Sequence, residues 1–245
     1  MAEEFSHEWI IDQLSRLQQR HGLFPFRDSP RSGVLLRHDV DFDLVPALTL
    51  ARKEAEFGIR GTYFFLTTAN SYNVLASTSR DIINEIHSLG FEIGLHFDAS
   101  VYLRQPVDSL GEFARREAAI LEGIVGVSVE SLSLHNPSVL GQYPTIKGFI
   151  NAYDNSIFSP DRYLSDSRMV FHSDPFDFFD SMVPKLGQLL IHPMHFSETG
   201  AKYPTQMIHF LERFSDEIDR NFSVNSGYRS AAPMGLLTHV SIREV

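Results

Sequence analysis

The chain contains no cysteine in its 245 residues, which removes disulfides, thiolate metal ligands and a cysteine nucleophile from consideration. No apolar run approaches the roughly 18 residues that a membrane span needs. The opening Met1-Ala2-Glu3-Glu4-Phe5 lacks the basic-then-apolar layout of a secretory signal. A cytoplasmic protein with no membrane span is therefore expected. Positive charge is scarce as well: 21 Lys and Arg against 31 Asp and Glu leave a formal charge of −10, which argues against nucleic acid or an anionic membrane as partner. Low-complexity tracts, sustained repeats and linkers are also missing. Nothing in the composition assigns an oligomeric state.

What the chain does have is enough apolar material for a sizeable core. Hydrophobic residues make up 43% of it, and Phe occupies 20 positions, so disorder is excluded. Residues 5–21 set Phe5, Trp9, Ile10, Leu14 and Leu17 close to one helical face and stop at Gly22. A loop follows over 24–33. From there strands and helices alternate. Strands are expected at 34–37, 61–66, 91–95, 131–134 and 188–191, with weaker candidates at 148–152 and 162–164. Helices are expected at 44–57, 79–89, 107–125 and 204–218, and Gly58 and Gly90 close the first two. Asp43 suits the N-cap of the first. The tail beyond Phe222 is less readable, with a last apolar patch at Leu236-Leu237. Alternation of this kind implies parallel pairing through right-handed crossovers. The expectation is a single α/β domain over 1–245, a closed or nearly closed parallel barrel preceded by an N-terminal helix and loop over 1–33.

The expected strands share a feature. Four of the eleven histidines, His38, His96, His135 and His192, fall at strand ends, and Asp39, Asp41, Asp98 and Asp166 sit at or just beyond such ends. In a parallel barrel all these ends open on one face, where catalysis is built. Asp and His without Cys is a ligand set for a divalent metal that activates water. A second carboxylate can take the water's proton, and a histidine opposite can give one to the leaving group. Metal-assisted hydrolysis of an amide or ester is the chemistry suggested. Arg37 and Arg168 flank strand ends and are candidates to hold a substrate carboxylate or phosphate, a solvated role being the equal alternative. The aromatic residues Trp9, Phe97, Tyr102, Tyr143, Phe171 and Phe176 are candidates to stack on a sugar, although core packing accounts for most such residues.

At these residues the chain resembles the polysaccharide deacetylase family, carbohydrate esterases with a NodB homology domain, over about 34–196. Arg37-His38-Asp39-Val40-Asp41 is similar to the family's Thr-Phe-Asp-Asp-Gly motif. Gly90-Phe91-Glu92-Ile93-Gly94-Leu95-His96 matches its Gly-x-Glu-Ile-Gly-x-His. His135-Asn136-Pro137-Ser138 resembles Arg-x-Pro-Tyr, and Leu189-Leu190-Ile191-His192 resembles Leu-x-Ile/Leu-His. The resemblance implies a distorted (β/α)7 barrel. It makes Asp39 the catalytic base, His192 the general acid and Asp166 the carboxylate that orients its neighbours. It makes Asp41 and His96 metal ligands, with zinc expected and cobalt or nickel as alternatives. Pro137 and Ser138 would line the substrate site, the residue after Pro supplying an oxyanion N–H. The family's second metal histidine falls at Ser100, a poor ligand, and its base-supporting Arg becomes His135. His135 therefore offers itself as third ligand, with Asp98 competing for that place or for substrate, or equally serving as a helix cap.

The expected activity is removal of an N-acyl group, acetyl or formyl, from a sugar or sugar conjugate in surface-polysaccharide biosynthesis. The alternative is a catalytically impaired, deacetylase-like carbohydrate-binding protein. A third reading, a phosphohydrolase of the HD class, is suggested by adjacent His38-Asp39, but those sites are built on helices and this pair follows an apolar strand.

Overall fold

A computed structural model describes residues 2–141, 143–181 and 185–235; the Leu236-Leu237 patch lies outside them, as does Pro184, expected with Lys185 and Gly187 to end a short Phe-rich segment. The chain divides into two compact units, Met1–Ala201 and Lys202–Val245. The first opens with helix α1 (His7–Arg20) and a two-residue strand β1 (Leu23–Phe24), which falls at the edge of the expected loop. It continues through β2 (Gly33–Val40), α2 (Leu44–Glu56), β3 (Thr62–Leu66), α3 (Ser77–Ser88), β4 (Glu92–Phe97), α4 (Leu110–Val125) and β5 (Ser131–Leu134). A four-residue helix α5 (Pro137–Leu140) precedes β6 (Ile150–Asn151) and β7 (Tyr163–Ser165). Helix α6 (Pro175–Asp180) and β8 (Leu186–Ile191) complete it. The second unit holds α7 (Tyr203–Phe222) and α8 (Ser226–Ala231). There the Phe222 and Tyr228 rings meet, with centroids 5.6 Å apart. No described helix is long and apolar enough to cross a membrane.

All strand pairs are parallel, in the order β6-β5-β4-β3-β2-β8-β7, with β1 added against β2. Among the described residues β6 and β7 do not pair with each other, so the sheet is a curled, open barrel with helices around it. Parallel pairing aligns the C-terminal ends of β2, β4, β5, β7 and β8 on one edge.

Strand side chains alternate between two faces, and both faces are buried here, as in α/β proteins. On β2, Val34 and Leu36 join α1 and α2 in one apolar cluster with Leu189 and Ile191 of β8. Leu35 faces inward with Phe26 and Phe64. Ile93, Leu95 and Phe97 of β4 and Leu132 and Leu134 of β5 pack outward against α3 and α4. The inward positions left over are Arg37 and Asp39, Glu92 and His96, Ser131 and Ser133, and Gln188. The barrel interior is therefore polar along one row, although every one of these residues is buried. Asp43 caps α2, accepting from Val45 N at 2.9 Å, a contact worth about 1 kcal/mol.

Candidate active site

The β2 ladder runs three residues further than the expected 34–37, through Val40, and this extension sorts the Arg37–Asp41 stretch by parity. His38 points outward. It is fully buried, its Nε2 lies 2.8 Å from Glu54 Oε1 on α2, and its ring stacks on Tyr63 at 3.9 Å. It takes no part in the strand-end cluster, and the His38-Asp39 pair is split across the sheet, which removes the sequence basis for an HD-type site. Arg37, expected to grip substrate, is also completely buried. Its Nε and Nη2 donate to Asp39 Oδ1 and Oδ2 at 2.9 and 2.7 Å. Nη1 donates to Gln188 Oε1 at 3.2 Å and Nη2 to Tyr153 Oη at 2.9 Å. Residues two apart on one strand face the same way, so Arg37 lies beneath Asp39 as its clamp.

Asp39, Asp41, His96, His135 and His192 line one pocket of about 240 Å³ at the C-terminal edge of the sheet. The closest group within it is Asp41, His96 and His135. Asp41 Oδ1 lies 3.1 Å from His96 Nε2 and 3.4 Å from His135 Nδ1, and the two nitrogens are 3.1 Å apart. That Oδ1 is buried without a hydrogen-bond partner. A buried carboxylate oxygen left in this state, facing two imidazole nitrogens, is the environment of a cation site. Tetrahedral ligand atoms about 2.1 Å from zinc stand roughly 3.4 Å from one another, so the observed separations fit. His96 Nδ1 is 3.2 Å from the Ser133 carbonyl, and donating there leaves Nε2 with its lone pair toward Asp41. His135 is set by the chain itself: its N–H extends the ladder to Phe97 O at 2.9 Å, and Asn136 then turns the backbone through a left-handed conformation at φ 46, which Asn tolerates.

Burial alone works against charge on Asp41, but His135 and His96 outweigh it and hold the carboxyl well below its ordinary range. The same opposition operates at Asp39, where burial is overcome by the Arg37 guanidinium and the pKa is lowered. His135 is raised, the proximity of Asp41 outweighing its burial.

On the other side of the pocket, His192 Nδ1 donates to Asp166 Oδ1 at 2.6 Å, and the His192 backbone N–H donates to Oδ2 at 2.8 Å. His195 Nδ1 donates to the same Oδ2 at 2.9 Å. Asp166, fully buried, thus orients two rings and turns His192 Nε2 inward, 3.8 Å from Asp41 Oδ2. Burial opposes the His192 charge, yet Asp166 raises its pKa to about 9. Asp166, His192 and His195 could also ligate a cation, but their hydrogen bonds already account for the grouping.

Pro137, Ser138 and Tyr143 line the pocket. Two of the candidate substrate residues fall outside the pocket lining. Asp98 caps a 3-10 turn, its Oδ1 accepting from Ser100 N at 2.9 Å, and lies outside the pocket lining. Arg168 is exposed in a left-handed turn at φ 62, also outside it. Phe97, Tyr102 and Phe113 stack on one another in the helix layer, while Trp9 and Phe171 meet Phe5 beside α1. Ser133, Gln188, Tyr153 and Tyr163 were missed by the sequence reading. Counting back by two from His135 reaches Ser133, whose Oγ is 3.3 Å from both Asp39 oxygens and 3.1 Å from His96 Nδ1; the aromatic pair left no comparable pattern.

No protein-family model and no curated protein sequence matches the chain. Solved structures do. One is a mutant, with restored enzymatic activity, of a CE4 family pseudoenzyme from Bacillus anthracis, 12% identical over 75% of this chain and 64% of its own, TM-score 0.48. Another is a family 4 acetyl xylan esterase from Clostridium thermocellum in complex with a cobalt ion, 12% identical over 78% and 90%, TM-score 0.44. A third is the peptidoglycan deacetylase PdaC from Bacillus subtilis, 14% identical over 78% and 98%, TM-score 0.44. The chain spans just under two thirds of the first of these. The chemistry of the site is read from its own side chains.

Proposed function

We propose that this protein is a metal-dependent hydrolase that removes an N-acyl group, acetyl or formyl, from a sugar or sugar conjugate in surface-polysaccharide biosynthesis. The observation that carries the reading is the buried Asp41 oxygen facing the nitrogens of His96 and His135 at 3.1 and 3.4 Å. Those three residues would hold the divalent cation, with zinc the first expectation and cobalt or nickel compatible with the same donors. When bound, the cation supplies Lewis acidity, making water a nucleophile near neutral pH and polarising the scissile carbonyl.

The chain's own groups do the rest. Asp39, ionised and oriented by Arg37, accepts the proton of the attacking water on the side of its carboxylate that faces His96. The Ser138 backbone N–H donates to the oxygen that gains charge. His192, protonated at neutral pH, delivers a proton from Nε2 to the departing amine, while Asp166 holds the ring through Nδ1 and stabilises its charge. The proton taken and the proton given sit on different residues, so the amide nitrogen leaves as a neutral amine.

One observation favours a second reading, a carbohydrate-binding barrel without turnover. Both Asp39 oxygens already accept from Arg37, and a carboxylate with a lowered pKa is a weak base. Metal analysis with amine release from N-acetyl and N-formyl hexosamines separates the two. Stoichiometric metal with amine release supports the hydrolase; metal and sugar binding without amine supports the second reading. Absence of both metal and sugar binding overturns each of them.

A further inference from the structure

Four aromatic rings from one segment, Tyr143, Tyr153, Phe158 and Tyr163, line the pocket together with His96 and His135. Tyr143 and Tyr153 lie 5.4 Å apart, Tyr143 and Phe158 5.7 Å, Tyr153 and Phe158 4.7 Å, and Phe158 and Tyr163 4.8 Å between centroids. The wall is braced from below, since Tyr153 Oη accepts from the buried Arg37, whose guanidinium also sits 4.6 Å over the Tyr153 ring. Edge-on neighbours fix the inner rings, whereas Tyr143, at the mouth, keeps 47% of its surface exposed. Hydroxyls ring the same opening: Ser138, Ser165 and Ser167 all line it.

We infer that this wall is a stacking platform for a single pyranose ring, and that it restricts the substrate to a terminal, unphosphorylated acylamino sugar. This rests on the hydrolase reading above and goes beyond it in naming the acceptor. Three properties support it. An aromatic face beside hydroxyl donors suits a ligand with an apolar C–H face and polar edges. The pocket, at about 240 Å³, falls below the roughly 300–1,000 Å³ of drug-sized sites, so it encloses one ring and leaves a second outside. Its lining carries two carboxylates and, among the described residues, no Lys or Arg. A diphosphate next to the reacting sugar therefore meets two carboxylates and neither a Lys nor an Arg in that lining, which disfavours a nucleotide-linked substrate.

The test is equilibrium binding to the full-length, zinc-loaded protein by calorimetry, backed by saturation-transfer NMR. The probes are the methyl glycoside of N-acetylglucosamine, its β-1,4-linked tetramer and UDP-N-acetylglucosamine. The monosaccharide and the tetramer are expected to bind within about threefold of each other, and the nucleotide sugar no more tightly than the monosaccharide. Tyr143→Ala is expected to weaken monosaccharide binding about tenfold, the upper end for one aromatic contact. Tyr143→Phe keeps the affinity. Tyr143 is exposed, so neither variant threatens the fold, and circular dichroism and metal content verify this. If wild-type protein releases amine but the tetramer or the nucleotide sugar binds over tenfold tighter, or Tyr143→Ala binds normally, the platform is wrong and the hydrolase stands. If the binding preferences hold without metal or amine release, the platform stands and the hydrolase falls.

Discussion

Removing Arg37 probes the interior of the barrel most severely. Its side chain is fully buried, Asp39 is 3% exposed, and two charge-assisted bonds of 2.9 and 2.7 Å join them. In Arg37→Met the aliphatic volume is largely kept, so the loss is chiefly electrostatic. Among the described residues, Asp39 then keeps the Ser133 hydroxyl at 3.3 Å and His96 Nε2 at 3.6 Å. Breaking one side of a buried pair costs about 3–5 kcal/mol, because the remaining charge is left uncompensated. In a compact unit of this size each kcal/mol moves the melting midpoint by about 2–4 °C, giving a fall of roughly 6–20 °C in calorimetry or circular dichroism at pH 7. The deficit has a signed pH dependence. The pKa of Asp39 is depressed in the folded protein, so the stabilisation it gains from Arg37 is present above its unfolded pKa and lost as pH falls through the folded one. Wild type and variant should therefore converge in acid. The double variant Arg37→Met/Asp39→Leu, which removes both charges, should recover most of the loss. A single variant that loses under about 1 kcal/mol, or a double variant no better than the single, would refute the clamp.

Three further outcomes follow from the same geometry. Asp39→Asn should abolish amine release while metal stays bound, whereas Asp41→Ala should lose the metal; elemental analysis beside an amine assay checks both. His192, raised to about 9, supplies its proton fully at neutral pH, and a cation at Asp41 can only lower that value. The rate should accordingly fall on the alkaline side, at or below about pH 9, and His192→Asn should slow the reaction and erase that limb from the pH–rate profile. His38→Ala should cost about 1–3 kcal/mol by removing one of two partners of the buried Glu54, which keeps the Tyr63 hydroxyl at 2.9 Å, seen as a lower denaturant midpoint, yet leave metal content unchanged.

The parallel alternation was legible because apolar runs and helix-ending glycines punctuate it, and each strong strand candidate forms within a few residues of its expected bounds. The convergence of Asp39, Asp41, His96, His135 and His192 was legible for a topological reason, since parallel strands bring their C-terminal ends to one edge. Arg37 and His38 were misread through one boundary. Ending the first strand at Arg37 treats both as strand-end residues, while three further ladder positions bury Arg37 inside and turn His38 toward α2. Asp98 illustrates a different limit, because a carboxylate just past a strand serves as cap or ligand with the same local sequence. The aromatic wall was the least legible part. Its strands are two and three residues long, too short for a period to register, and Tyr153 gains its position from a contact with Arg37, 116 residues away in sequence.

The central claim is that Asp41, His96 and His135 form one cation site, with His135 standing where Ser100 does not serve. Its most direct measurement is metal content per chain, by elemental analysis after dialysis, for wild type and His135→Ala prepared identically with zinc. The account predicts one equivalent in the wild type and loss of most of it in His135→Ala, with folding intact by circular dichroism. Full metal retention in His135→Ala, or no bound metal in the wild type, would contradict it.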